Sequence, residues 1–142
     1  MMVQVVTPPD LELFLTRFIR EHMGVETDVR QPSDWRAIKP LVVIRDDGGP
    51  MTERLVFQRT LGVTVHAGVR ADVVAAGRLA RKVFSLLSSD AVASADGSPI
   101  SAVLYDGFNG PYRVTEQHDC STWYFTASYL AVGEVSEIDD PA

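Results

Sequence analysis

The residues best suited to chemistry in this sequence are His118 and Cys120, which stand close together with Asp119 between them. Side chains two positions apart in a strand lie on the same face, so the His118 imidazole could lower the pKa of the Cys120 thiol and create a nucleophile. The pair could also begin a zinc site, but zinc needs three or four ligands and no CxxC motif or second close pair is present. Because spacing alone does not supply the geometry of nucleophile and base, we expect a polar strand start with a half-buried cysteine. A small enzyme or ligand-binding domain that uses His118 and Cys120 is kept as the less favoured alternative.

Other titratable residues are better explained by structure than by chemistry. Asp46 and Asp47 could share acid–base work, but adjacent acids before a Gly-Gly pair are typical of a turn. His66 ends an alternating stretch and is expected on the surface, whereas His22 falls on the apolar stripe of a predicted helix. The sequence has no phosphate-binding loop, dinucleotide-binding glycine motif, nucleophile-elbow serine or HExxH motif. We predict that the protein is not an enzyme and holds no cofactor and no metal.

One side of the second predicted helix is basic. It carries Arg70, Arg78, Arg81 and Lys82, with only Asp72 to offset them. The net charge of the chain is −6, and proteins that grip nucleic acid normally show a basic footprint. Three interpretations stay open for this side of the helix: a solvated face, a docking face for an acidic neighbouring subunit, and a nucleic-acid patch, in that order of preference.

Two amphipathic helices are predicted from the apolar spacing. The first runs from about Pro8 to Met23, with Thr7 as its N-cap and Gly24 as its stop. Its core-facing residues are predicted to be Leu11, Leu15, Phe18, Ile19 and His22. The second runs from about Ala71 to Ser88, and Gly77 inside it indicates a close approach to the sheet. Its buried stripe is predicted to be Val73, Ala76, Ala80, Val83, Phe84 and Leu87.

The strands are predicted around two turn signals. They are a short strand at Val25 to Arg30, a buried strand at Leu41 to Arg45, a long alternating strand from about Leu55 to His66, two strands at Ser101 to Tyr105 and Tyr112 to Glu116, and a last strand from about Thr122 to Val132. The turn at 46–50 should join the second and third of these as a hairpin, and the turn at 106–111 should join the fourth and fifth. Residues 31–39 are expected to form a loop, 88–99 a flexible loop, and 134–142 an acidic flexible tail.

These elements predict an α+β fold of two layers, in which a mostly antiparallel or mixed β-sheet is covered on one face by two α-helices. The 142 residues favour a single domain with its core at about residues 7–133. With 46% apolar and 23% charged residues the composition is that of a globular protein. The single cysteine excludes an internal disulfide, and no apolar run approaches the roughly 18 residues of a membrane span. We therefore expect a soluble protein made in a reducing cytoplasm.

The order of these parts resembles that of siphophage tail terminator proteins, the family of the lambda-type tail terminator. Five features carry the resemblance: a capped helix at Thr7 to Met23, a proline followed by an apolar strand at Pro40 to Ile44, a Gly-Gly turn at 48–49, a long alternating strand that runs into an alanine-rich helix at Ala71 to Leu87, and the Gly110-Pro111 pair before a closing aromatic strand. The resemblance covers about residues 7 to 133. Related phage neck proteins share much of the order, so another neck or tail completion protein is the main alternative.

The resemblance implies a structural virion protein. Members of the family form a six-membered ring on the last ring of the tail tube, end its polymerisation, and present a surface to the head-tail connector. The implied partners are copies of the chain itself, the tail tube protein and the connector protein; DNA passes through the ring without specific binding, and no membrane is involved. The implied location is the tail-neck region of the virion, after assembly in the host cytoplasm. A ring requires two different patches on each subunit that meet with a closing rotation.

Candidate contact residues lie in a predicted hairpin and on the basic helix side. They are Asp46, Asp47, Gly48 and Gly49 at the hairpin tip, Met51 and Arg54 at its base, and Arg78, Arg81 and Lys82 on the helix. The loop at 88–99, expected to hold no core residue, and the open sheet edges are further candidates. Six copies at −6 each would carry −36, a balance that disfavours binding of DNA phosphates in a ring.

Overall fold

The computed structural model describes residues 1–32, 39–68, 73–115 and 121–139. Along the chain its elements are β1 (Met2–Thr7), α1 (Leu11–Met23), β2 (Glu26–Asp28), β3 (Leu41–Asp46), β4 (Met51–Glu53), β5 (Val56–Ala67), α2 (Val73–Leu87), α3 (Ala91–Ser94), β6 (Ile100–Val103), a 3₁₀ turn (Tyr105–Gly107), β7 (Asn109–Val114), β8 (Ser121–Val132) and β9 (Glu134–Asp139). The predicted α+β class is confirmed.

The sheet is built on β5 and β8, which pair antiparallel along their whole length from Val56–Val132 to Ala67–Ser121. The edge of β5 that faces away from β8 pairs first with β3 and then with β4. The edge of β8 that faces away from β5 pairs first with β6 and then with β7. The short β2 adds to β3 in parallel. The mixed, mostly antiparallel sheet that the sequence predicts is therefore present, and the predicted pairing of Leu41 to Arg45 with the long alternating strand is confirmed.

Both long helices pack on one face of this sheet, α1 over β2 and β3, and α2 over β5 and β8. The core between the layers holds apolar residues of both, among them Leu11, Leu15, Ile19, Val63, Ala80, Val83, Phe125 and Tyr129. Alternation in β8 buries Phe125, Ala127, Tyr129 and Ala131, as predicted. Gly77 of α2 lies where a Cβ would meet the Trp123 ring at 2.8 Å, so the predicted close approach of helix and sheet is also confirmed.

The start of α1 differs from the prediction. Thr7 is the last residue of β1, and Asp10 is the N-cap, with its carboxylate accepting a 3.0 Å hydrogen bond from the Leu13 N–H. Four of the five predicted core residues of α1 are buried, but His22 is exposed, because it lies in the last turn. There its ring packs against the Phe18 ring at a tilt of 40°, with the two ring centroids 4.2 Å apart.

The segment 88–99 is not the flexible loop that its small polar residues predict. It contains α3, and Val92 of that helix is fully buried in the core. The Ser89 and Ser98 hydroxyls donate 2.7 Å hydrogen bonds to the Leu86 and Val92 carbonyls, so the serines order the chain that they were expected to loosen.

The predicted hairpin around 106–111 is wrong. The two strands do not pair with each other; both pair with β8, Ile100 opposite Ala131 and Val114 opposite Thr122. The 3₁₀ turn between them lets Gly107 lie against Ser128, where a Cβ would collide with the Ser128 side chain. The stretch 100–114 therefore runs along β8 as one interrupted edge strand.

The acidic stretch after β8 is also ordered differently from the prediction. Residues 134–139 form β9, which pairs antiparallel with β1 from Thr7–Glu134 to Met2–Asp139. We call this two-stranded sheet the ribbon; residues 140–142 of the predicted tail lie outside the described residues. No helix within the described ranges is long and apolar enough to cross a membrane.

Candidate interaction surfaces

The Asp46–Met51 segment is a bulge on the edge of the sheet and not the predicted hairpin tip. Its backbone continues the β3 ladder along β5: the Asp47 N–H donates to the Thr60 carbonyl at 2.9 Å, and the Gln58 N–H donates to the Pro50 carbonyl at 2.9 Å. The turn that reverses the chain comes later, at residues 54–55, between β4 and β5. The turn lies later than predicted because the backbone hydrogen bonds to β5 resume after the two glycines. The spacing of residues in the sequence does not show this resumption.

Two glycines make this bulge possible. Gly48 and Gly49 have φ values of 84° and 151°, a region that L side chains rarely adopt. A Cβ on Gly49 would collide with the Gln58 carbonyl oxygen. Asp46 completes the turn, because its carboxylate accepts a 2.8 Å hydrogen bond from the Gly48 N–H. The acids before Gly-Gly are therefore turn formers here, as the sequence predicts.

Met51 and Arg54 lie beyond the bulge and face solvent. Met51 is 53% exposed in β4. Arg54 lies in the turn itself, not at the base of a hairpin, and its guanidinium donates a 3.2 Å hydrogen bond to the Gln4 side chain of the ribbon. This contact links the β4–β5 turn to the ribbon.

The basic side of α2 is exposed as the sequence pattern suggests. Arg78, Arg81 and Lys82 all face solvent, while Arg70 and Asp72 lie outside the described residues. No hydrogen bond or ion pair among the described residues joins these three cations to the bulge at 46–51. The predicted contact residues thus belong to two separate surfaces, one on a sheet edge and one on the helix layer.

The face of the sheet opposite the helices bears a polar and aromatic row that was not predicted. Arg45 donates from its Nε to the Asp47 carboxylate at 2.6 Å, and this hydrogen bond raises the pKa of Arg45. Tyr124 lies across Gly62, where a Cβ would meet its hydroxyl at 2.6 Å, and burial raises the pKa of Tyr124. Its ring meets the Tyr112 ring edge-on, with the two ring centroids 5.8 Å apart. The row therefore crosses β3, β5, β8 and β7, and only the register of four strands brings it together.

The described residues include only some of the titratable residues singled out for chemistry. His118, Asp119 and Cys120 lie outside the described residues. His66 was expected on the surface, but it is 3% exposed, because β5 is a central strand and the ring lies between Leu41 and Thr122 of its neighbours. Its Nδ1 lies 3.0 Å from the Thr122 hydroxyl. Among the residues that the structure describes, no three His, Cys, Asp or Glu side chains meet as metal ligands would.

A groove of about 1050 Å³ runs between α1 and the segment around α3. Leu13, Phe14 and Arg17 of α1 line one side, and Ala95 and Asp96 line the other. Leu13 is 46% exposed there. The groove is open to solvent and holds residues of both charges, so its shape and chemistry suit a chain segment better than a small molecule.

The ribbon is the most exposed part of the described chain. Every residue of β9 is exposed, and so are four of the six residues of β1. Apart from its own pairing, it makes few contacts with the rest of the described chain, among them the Arg54–Gln4 hydrogen bond and close contacts near Gly133. The valine-rich stretch of β1, with Val3, Val5 and Val6, is its main signal in the sequence, and that signal could not show that β1 pairs with the acidic stretch 134–139. A scan against protein-family models and a search of curated proteins found no match for the chain.

Proposed function

We propose that this protein is a structural subunit of a phage tail, which caps the tail tube as a ring of six copies, ends tube growth and joins the tube to the head connector. The proposal places the protein in the tail-neck region of the virion. Its partners are copies of itself, the tail tube protein and the connector protein. The observation that carries it is the ribbon.

An isolated two-stranded sheet is at best marginally stable in water, and it gains stability by packing against something else. In the ribbon, Met2, Val135 and Ile138 are 54%, 51% and 54% exposed. The outer edges of β1 and β9 are paired with no other described strand, so their backbone groups can bind a neighbour. An ordered ribbon with exposed apolar side chains on both faces is typical of a protein that works in contact with another chain.

The margins of the main sheet support the same function. Within the described residues, β2 and β4 end the sheet on one side, and the interrupted strand 100–114 ends it on the other. The two margins differ in length, direction and side chains, which is what a head-to-tail contact between identical subunits requires. Some parts on which the resemblance rests are present in the fold: the apolar strand after Pro40 is β3, and the long strand before the alanine-rich helix is β5, followed by α2.

The open sheet face is compatible with a channel through which DNA moves. The polar and aromatic row on this face contains one arginine among the described residues, Arg45, and this arginine is paired with Asp47. The side chains around Arg45 on this face carry hydroxyl groups or aromatic rings, as in Thr60, Thr64 and Tyr124. Free lysines and arginines bind phosphates strongly, whereas a neutralised arginine does so weakly. In the proposed ring this face would allow passage without specific DNA binding.

The function is tested by tube growth in vitro. Tail tube protein encoded beside this gene is allowed to polymerise with and without the purified protein, at one copy of the protein for many tube subunits. We expect growth to stop while free tube protein remains, because a cap blocks the growing end. Unchanged growth at saturating amounts of the protein contradicts the proposal. Unchanged growth together with binding to the head connector favours the other neck or completion protein.

A further inference from the structure

One face of the ribbon combines apolar and acidic side chains. Residues directly opposite in an antiparallel pair share a face, so the register of β1 with β9 puts six residues together. They are Met2, Gln4, Val6, Val135, Glu137 and Asp139. We call this the acidic ribbon face. Met2 and Val135 are more than half exposed, and both acids are exposed.

The outward side of α2 has the complementary character. Val74 is 62% exposed, and Arg78, Arg81 and Lys82 follow it at the spacing that places side chains on one side of a helix. We call this the basic helix face. No acidic residue occurs in α2 from Val73 to Leu87. The basic helix face thus has an apolar residue, Val74, followed by three cations, and the acidic ribbon face has an apolar residue, Val135, followed by two carboxylates.

Neither face is neutralised strongly within its own subunit. The ribbon strands carry Glu134, Glu137 and Asp139 and no lysine or arginine. Arg54 of the β4–β5 turn reaches Gln4 of this face, but it forms no ion pair with a carboxylate among the described residues. Asp139 contacts the terminal amino group at 3.6 Å, but both partners are more than 80% exposed, and such pairs contribute little. Among the described residues no carboxylate pairs with Arg78, Arg81 or Lys82. The two faces therefore keep their charge for another molecule.

We propose that the acidic ribbon face of one copy docks on the basic helix face of the next copy, head to tail. Val135 would lie against Val74, and Glu137 and Asp139, which follow Val135 along the same face, would lie against the three cations. Two acidic ribbon faces repel each other, so the contact joins unlike patches, as a ring requires. This inference rests on the proposed function only in that the ring supplies the neighbouring copy.

The test is a charge exchange between the two faces. One variant carries Glu137→Lys and Asp139→Lys, and the other carries Arg78→Glu and Arg81→Glu. Each variant alone sets like charge against like charge, so its apparent Kd for self-association, measured by sedimentation at low salt, should rise at least about tenfold. An equimolar mixture of the two should associate again, because each altered face then meets a complementary one. The control is Glu21→Lys with Asp96→Lys, which changes the net charge equally at exposed positions elsewhere.

A cysteine pair gives a second measurement that does not depend on charge or on the folding of the reversal variants. Val74→Cys and Val135→Cys are made separately in a Cys120→Ser background and then mixed under mild oxidation. We expect a disulfide between the two variants, and little in either variant alone. Leu13→Cys, exposed in the groove beside α1, replaces Val135→Cys as the control. Equal yields with the control overturn the inference.

The outcomes separate this inference from the proposed function. If the protein caps tubes and self-associates but the charge exchange has no effect, the pairing of these faces is wrong and the capping function stands. If the exchange behaves as expected but tube growth is never arrested, the pairing stands and the capping function falls. If Arg78→Glu with Arg81→Glu abolishes binding to a DNA duplex without changing self-association, the basic helix face is a nucleic-acid surface and the inference is overturned.

Discussion

At the scale of single residues, Gly49 tests the bulge at the sheet edge. Its φ of 151° and the Gln58 carbonyl oxygen both exclude a Cβ. We expect Gly49→Ala to lower the free energy of unfolding by about 3 kcal/mol, as backbone strain and overpacking add. Gly97→Ala is the matched control, because its φ of 73° is strained but nothing lies within 4 Å, and it should cost only about 1 kcal/mol. Urea denaturation measures both, and equal losses would show that Gly49 has room.

Tyr129 gives a prediction for pH dependence. Burial raises the pKa of Tyr129 above its ordinary value, and its hydroxyl donates a 2.6 Å hydrogen bond to the Leu87 carbonyl. Because the folded pKa lies above the unfolded one, the stabilisation is complete below the unfolded pKa of about 10 and is lost as the pH rises beyond it. Below about pH 9, Tyr129→Phe should cost about 1 kcal/mol through the lost hydrogen bond.

Above pH 10 the difference in free energy of unfolding between the wild type and Tyr129→Phe should shrink by about 1.4 kcal/mol per pH unit and then reverse, since only the wild type must keep a buried phenol protonated. Denaturation of both proteins from pH 7 to pH 11 measures it. A difference that stays constant through pH 11 would show that Tyr129 ionises as easily in the folded protein as in the unfolded one.

The histidines show what residue patterns can and cannot predict. The alternation correctly predicted that His66 lies on the sheet face opposite the helices. Its exposure also depends on the neighbouring strands, and β5 has β3 on one side and β8 on the other. Helical spacing put His22 on the apolar stripe, but the stripe stops being covered in the last turn of α1. Side-chain direction follows from local geometry, whereas coverage depends on the distant chain.

At the scale of elements, the contact of α2 with the sheet depends on Gly77. A Cβ there would meet the Trp123 ring at 2.8 Å, so Gly77→Ala should push the helix outward. Alanine is a better helix former by about 1 kcal/mol, but overpacking costs about 1–3 kcal/mol, so we expect a net loss of about 1 kcal/mol. Ser85→Ala, exposed on the same helix, should change stability by less than about 0.5 kcal/mol. Thermal unfolding checks both, and a more stable Gly77→Ala protein would contradict the close contact.

The elements with strong periodicity were predicted well. Both long helices, the paired strands β3 and β5, and the aromatic β8 lie within a few residues of their predicted bounds. The ribbon was missed because its strands pair residues about 130 positions apart in sequence, and a polar, acidic stretch with few large apolar residues is more typical of a loose end. Two strands were predicted for the segments that form β6 and β7, but their common pairing with β8 was missed because a Gly-Pro turn ordinarily marks a hairpin.

At the scale of the whole molecule, the candidate surfaces depend on which distant segments meet. The exposed cations of α2 could be predicted because a helix presents its own residues at fixed spacing. The acidic ribbon face and the row from Arg45 to Tyr112 could not, since both are defined by strand register. The sequence therefore predicted a protein that works by binding other chains, and the fold shows where its candidate interaction surfaces lie.

The most direct test of the proposed assembly is electron microscopy of the purified protein mixed with preformed tubes of its tail tube protein. Capping predicts sixfold rings seated at one end of each tube and bare tube walls, because a ring that completes the last layer has no place along the side. Binding along the walls, or tube ends without any added density at saturating protein, would contradict it.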